Sequence, residues 1–265
     1  MIVMSKAHRE LVDAWRKVPL KKRPFLLPGD ECLKKEKNRP LIATHSSFQD
    51  YSHGSDYNDR NSTLLHTGLI PLPYLGDLKN AKIYILLNNP GIGDLDYIAE
   101  DRFPELRRAL TRSLRQELDP EYPMMYLNPA FSWHGGGQYW ISRFKEYISL
   151  IMSKGGVTFH KAMSILSQQI CCLEYLPYHS ARFGLGKPFQ ENLKSTQLVK
   201  AFVKKDLVPR AENGEIGIIV ARGKSRWEVE ESDKNVVILK GMATHFGPDT
   251  EQGQLISKHL GLSSS

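Results

Sequence analysis

The stretch "ILLNNPGIGDLDY", Ile85 to Tyr97, ends an apolar run in two amides, a rigid turn and two acids. Asn89 cannot serve as a general base at neutral pH, but its carbonyl oxygen can aim a water molecule. Pro90 fixes a backbone angle and Gly91 accepts unusual ones, so Asn-Pro-Gly makes a stiff turn. Such a turn either simply closes a strand or presents an amide and several backbone N–H groups to a crevice. Asp94 and Asp96 follow, suited to positioning water, to favouring a nearby cation, or to capping the helix that "YIAEDRF" begins.

Which reading holds depends on the elements that place these residues. Four near-continuous apolar runs, 82–87, 170–176, 216–221 and 236–239, have the pattern of strands covered on both faces. Helical patterns separate them. Leu106, Leu110, Leu114 and Leu118 make one stripe, with Arg108, Arg112 and Arg115 opposite. Trp140, Phe144, Tyr147, Ile148 and Ile151 make another, and 158–168, 191–206, 225–231 and 250–260 also read as helices. This alternation predicts an α/β fold, a three-layer sandwich around a central four-stranded parallel sheet. Ligands in such folds bind at the carboxyl ends of the strands, where Asn89 would stand.

Residues 1–70 read as an extension packed on an α/β domain of residues 71–265. The extension holds an amphipathic helix near Lys6 to Val18 and the polar run "THSSFQDYSHGSDYNDRN". "NPAFSWHGGGQYW", 128–140, is expected to be a flexible loop at a pocket mouth. A net charge of +7 suits a polyanionic partner. No apolar run is long enough for a membrane span, and no signal peptide is read at the start of the chain. Three cysteines without a disulfide framework fit a reducing cytoplasm.

Several motifs fail. Gly91 and Gly93 lack the third glycine of a dinucleotide fingerprint, since that position is Asp96. Gly223-Lys224-Ser225 lacks the first glycine of a phosphate-binding loop, since position 218 is Ile218. Neither an HExxH pair, a cysteine set with zinc spacing, nor a GxSxG elbow is present, so no metal and no cofactor are expected.

"LLNNPGIGD" resembles the water-positioning motif of the uracil-DNA glycosylase superfamily, closest to its mismatch and thymine glycosylase branch. "LIPLPYLGDLKNAKIYILLNNPG" is similar to bacterial relatives of that superfamily. The resemblance covers about residues 70–260 as a pattern. It implies a glycosylase-type sandwich in which Asn89 orients water beside Pro90 and Gly91. It also implies a phosphate-gripping loop at "ARGKSRW", with Gly223 and Ser225 as the grip and Lys224 and Arg226 adding charge. An ordinary strand-to-helix turn is the other reading of that loop.

Two positions depart from the family's pattern. Glu174 stands where an amide would read uracil, and "ILKGMATHFGP" has no His-Pro-Ser-like tripeptide. A carboxylate accepts hydrogen bonds, which favours an amino- or hydroxyl-bearing base over uracil. The expected partner is therefore double-stranded DNA with a flipped, modified pyrimidine, of the hydroxymethylcytosine or glucosylated phage type. Its hydrolysis would leave an abasic site, plausible in anti-phage defence. His179 and His245 are candidates to stabilise the departing base, with Asp94 assisting. Tyr97, Tyr178 and Phe246 are candidates to stack on it. A monomeric, monofunctional enzyme is expected, since no lysine is placed as a nucleophile. The alternatives are a uracil or thymine mismatch repair enzyme, a non-catalytic nucleic-acid-binding module, and a hydrolase of free nucleosides.

Overall fold

The computed structural model describes residues 4–35, 38, 41–231, 235–240 and 245–262. The chain opens with α1 (Lys6–Arg16), capped by the Ser5 hydroxyl, then β1 (Ile42–Ala43), α2 (Phe48–Ser52), β2 (Leu65–His66) and β3 (Tyr74–Leu75). The predicted strands follow as β4 (Ile83–Leu87), β5 (Ile170–Glu174), β6 (Gly217–Val220) and β7 (Val236–Ile238). Between β4 and β5 lie α3 (Asp96–Arg102), α4 (Pro104–Arg115), α5 (Gly135–Gly155) and α6 (Phe159–Ser167). Between β5 and β6 lie α7 (Lys187–Glu191), α8 (Lys194–Phe202) and α9 (Val208–Glu212). Four-residue α10 (Lys224–Trp227) links β6 to β7, and α11 (Glu251–His259) follows.

The fold is α/β, as expected, but the sheet has five strands and is mixed. Its order is β3-β5-β4-β6-β7, and β3 runs antiparallel at the edge beside β5. A short strand of two residues is invisible to a search for apolar runs, because "LPYLGD" is too short and too broken by turn residues to show periodicity. The other four strands are mutually parallel. Every residue of β4 and β5 is buried, so both faces of the sheet are covered. A separate two-stranded parallel pairing joins β1 to β2.

The register sets the strand ends level. Leu87 pairs with Glu174, Leu86 with Val220, and Val220 with Ile238. The chain therefore leaves β4, β5 and β6 along one edge. The N-terminal extension joins the same core: Leu11, Val12 and Trp15 of α1 pack in the cluster that holds the strands.

Two helical expectations change. The leucine stripe of α4 stops at Leu114, because Gln116 takes a left-handed conformation (φ +54°) and turns its side chain to the Leu78 N–H and the Gly76 carbonyl. The predicted helix 191–206 becomes α8, a wider turn over Val203–Leu207, and α9. Pro209 has no N–H to give the Lys205 carbonyl, which explains a local loss of regular pitch.

Glu100 on α3 is the buried acid that ties this framework to the N-terminal segment. Its Oε1 accepts from the Ile70 N–H at 2.9 Å, and Arg107 Nη1 stands 3.7 Å from Oε2. Burial pushes its carboxyl up to about 8 against an ordinary 4.5, and the Ile70 N–H and Arg107 only partly oppose this. A carboxyl raised in the folded state leaves the unfolded chain with fewer protons across that window. Stability therefore falls as pH rises from about 4.5 to about 8. Glu100→Gln keeps the acceptor for Ile70 and removes the charge. Urea midpoints should show the substitution gaining roughly 3–5 kcal/mol more at pH 8 than at pH 5.

Candidate active site

A cavity of about 630 Å³ opens at the carboxyl edge of the sheet, within the range of small-molecule sites. Its floor is the end of β4, from Leu87 to Gly93, with Glu174 of β5 beside it and Arg222 after β6. The strand exits are laced together by backbone hydrogen bonds. The Leu176 N–H donates to the Asn88 carbonyl, the Ser180 N–H to the Pro90 carbonyl, and the Ala221 and Arg222 N–H groups to the Leu86 carbonyl.

Asn89 is oriented by this lacing. Its Nδ2 donates to Ser180 Oγ at 2.8 Å and to the carbonyl of Pro90 at 2.9 Å. Both amide hydrogens are thus spent on the protein. Oδ1 accepts no hydrogen bond among the described residues and is left open to the cavity that Asn89 lines. A carbonyl oxygen held in this way can accept a hydrogen bond from water and fix where that water points.

Glu174 is buried to 6 % exposure, and its Oε2 has no partner among the described residues. Burial pushes its carboxyl well above the usual carboxylate range. The shift favours the protonated acid, which carries one donor and one acceptor, as a side-chain amide does. Asn88 Oδ1 is a second buried oxygen at this edge without a partner among the described residues. Asn88 also explains Gly223 (φ +72°), since a Cβ there would come within 2.3 Å of Asn88 Oδ1.

The glycine run is not a loop. Gly135, Gly136 and Gly137 form the first turn of α5, a 21-residue helix. A Cβ on Gly136 would strike the Tyr126 ring at 2.6 Å, and one on Gly137 the Phe131 carbonyl at 2.1 Å. The glycines serve close approach rather than mobility. His134 caps this helix, its Nδ1 accepting from the Gly136 N–H at 3.1 Å. The remaining proton sits on Nε2, which faces Asp96 Oδ1 at 3.2 Å. Asp96 Oδ2 in turn accepts from the Gly93 N–H at 2.8 Å. Asp96 and His134 thereby fasten the turn after β4 to the start of α5. Neither Asp94 nor Asp96 caps α3, whose cap position is Leu95.

Several expected site residues lie elsewhere. Asp94 is exposed and does not line the cavity. His179 does line it, but its Nδ1 faces the Gly91 carbonyl at 2.8 Å and its Nε2 the Ile70 carbonyl at 3.1 Å. No N–H remains for a departing base, so His179 holds the turn instead. His245 is exposed and is not among the lining residues; residues 241–244 of the "ILKGMATHFGP" loop lie outside the described residues. Tyr97 is buried, with its hydroxyl 3.3 Å from His66 Nδ1. Tyr178 is buried too, donating to Asp30 Oδ2 at 2.7 Å and anchoring the N-terminal segment. Phe246 stacks on Phe144 in the core, centroids 5.7 Å apart.

The aromatics that do line the cavity are Tyr126, Tyr139, Trp140 and Phe183. Tyr126 stacks flat on His134 (5.4 Å, 5°). Their sequence positions do not mark them for stacking, because none lies next to a strand end. Pro90 and Gly91 line the cavity as expected, and a Cβ on Gly91 would meet nothing within 4 Å. Gly223 leads into α10, with Lys224 and Ser225 exposed beside the cavity's Arg222. Arg226 is engaged, its Nε donating to Gln190 Oε1 at 3.2 Å and its guanidinium lying 4.4 Å from the Phe183 ring centroid.

No family model matches the chain, and no curated protein or solved structure matches it. Among the described residues, no helix is long and apolar enough to cross a membrane.

Gly137→Ala tests the close approach at the start of α5. The new methyl meets a backbone carbonyl that cannot rotate away, so denaturant unfolding should show a loss of about 1–3 kcal/mol. Gly91→Ala, with open space before it, should cost less than half as much.

Proposed function

We propose that the chain is a monofunctional DNA glycosylase of the uracil-DNA glycosylase type. It hydrolyses the bond between deoxyribose and a flipped, modified pyrimidine. Water adds its hydroxyl to the sugar carbon, and its proton ends on the departing base, leaving an abasic site.

The observation that carries this reading is Asn89. Its amide hydrogens are held by Ser180 and Pro90, and its carbonyl oxygen is open at the cavity floor. An amide is too weak a base to deprotonate water, yet glycosidic cleavage passes through a sugar with oxocarbenium character. A positioned water suffices once the bond is largely broken. The departing base gathers negative charge, and the N-terminus of α5 brings its positive end to the cavity wall at Gly135 and Gly136. That helix takes the part assigned from sequence to His179 and His245.

Glu174 reads the base. In its protonated form it pairs with an edge that offers one acceptor and one donor, which cytosine-type bases and uracil both present. The preference for a modified base therefore rests on the size of the cavity. The volume favours a base enlarged by a substituent, and Tyr126, Tyr139 and Trp140 supply aromatic walls for stacking. Leu95, Trp133 and Tyr139 are exposed large side chains on segments bordering the mouth, suited to filling the gap that a flipped nucleotide leaves. The positive charge of the chain and the exposed Lys224 suit phosphate contacts. An enlarged pyrimidine of the hydroxymethylated or glucosylated kind occurs in phage DNA, so the biological role fits defence better than repair.

The test uses duplexes carrying uracil, thymine opposite guanine, hydroxymethylcytosine or glucosylated hydroxymethylcytosine, with alkali revealing abasic sites as strand breaks. Breaks are expected on a hydroxymethylated or glucosylated substrate. Asn89→Ala should lower single-turnover cleavage by about 100-fold or more while DNA affinity stays within a few-fold. Glu174→Gln, which keeps one donor and one acceptor, should retain most activity, and Glu174→Ala should lose it. Tight DNA binding with no breaks on any duplex would point to a binding module instead.

A further inference from the structure

Away from the cavity, the histidine- and aspartate-rich segment closes on itself. His45, Asp56 and His66 each offer one donor atom, and these atoms lie within 4.8 Å of one another. His45 Nε2 stands 2.9 Å from Asp56 Oδ2, and His66 Nε2 stands 3.6 Å from the same oxygen. Both imidazoles therefore turn the same ring nitrogen toward one carboxylate. A zinc ion with bonds of about 2.0–2.2 Å sets its donors roughly 3.3 Å apart, between these two separations.

One opposite ring nitrogen is placed as a ligand requires: His66 Nδ1 faces the Tyr97 hydroxyl at 3.3 Å, while His45 Nδ1 lies 3.8 Å from Asp50 Oδ1, near it but beyond hydrogen-bond distance. Asp50 is itself held by the Ser46 N–H at 2.8 Å. An outer partner such as Tyr97 fixes ring orientation in metal sites. The setting is enclosed: Asp56 and His66 are buried, and the rings of Tyr51 and Tyr97 pack against both histidines. Two glycines let the backbone come close. A Cβ on Gly54 would strike Asp56 Oδ1 at 2.6 Å, and one on Gly68 would meet the His45 carbonyl at 2.3 Å.

We propose that His45, Asp56 and His66 bind one divalent transition metal ion, of the zinc class, through Nε2, a carboxylate oxygen and Nε2. Two imidazoles and one carboxylate suit zinc and its neighbours better than magnesium or calcium, which take mainly oxygen donors. Three protein donors leave one position for water. The ion joins the loop at His45 and Asp56 to the end of β2 at His66, and Tyr97 connects it to α3. Its first effect is on stability, independent of the reaction proposed for the cavity.

The experiment is zinc titration of the full chain, prepared without a histidine tag and stripped with chelator. Calorimetry should find one equivalent of Zn²⁺ bound per chain. The midpoint of thermal unfolding should rise by roughly 5–10 °C at free zinc near 100 times Kd. Co²⁺ in place of zinc should give visible absorption bands of a low-symmetry nitrogen and oxygen site. Asp56→Asn and His45→Gln should each abolish the one-equivalent binding and the thermal shift while their circular dichroism matches the wild type. His45 is partly exposed, so His45→Gln remains informative even where Asp56→Asn disturbs the fold. Absence of saturable binding to the wild type would overturn the proposal, as would one-equivalent binding that survives in a folded His45→Gln.

Discussion

Leu87 and Glu174 stand opposite one another at the ends of two parallel strands, and that register governs what is built above the sheet. One more residue along β4 begins the turn that carries Asn89. A few more along β5 bring Ser180, whose hydroxyl takes the Asn89 amide. A slip of one residue in this pairing would reverse which side chains face the cavity and would part Asn89 from Ser180. The Leu176 N–H to Asn88 carbonyl and Ser180 N–H to Pro90 carbonyl hydrogen bonds carry that register past the strand ends.

The chemistry of the cavity follows from how little charge it holds at its centre. Burial raises the Glu174 carboxyl well above the usual carboxylate range, and Asn88 and Asn89 are amides. The one acid in ordinary contact with the wall, Asp96, is committed to Gly93 and His134. Beside the Arg222 guanidinium in the wall, what remains is oriented dipoles: an amide oxygen, a buried acid and the start of a long helix. Fixed dipoles of this kind act without reorganising, which suits a reaction whose charge develops on a sugar and a departing base.

The four parallel strands were legible in the sequence because each is a short apolar run bounded by polar turns, and their observed limits fall within two residues of the expected ones. Asn89, Pro90, Gly91 and Glu174 were legible for a related reason: they end those strands, and strand ends in this architecture meet at one edge. Contacts made between distant segments were not legible. Nothing in "SWHGGGQYW" marks the glycines as a helix start, since the need for them comes from Tyr126 and Phe131 packing against them. Proximity to a strand end likewise failed to sort aromatics: Tyr97 and Tyr178 turn into the protein, while Tyr126, Trp140 and Phe183 reach the cavity from other elements. The role of His134 is not legible in the sequence because it depends on Asp96, 38 positions earlier.

The most direct test of the central claim is mass spectrometry of the products from a duplex containing one glucosylated hydroxymethylcytosine. The account predicts free modified base in solution, matched one for one by an oligonucleotide lighter by that base and heavier by the elements of water. An oligonucleotide of unchanged mass, recovered from a tight complex with the protein, would contradict it.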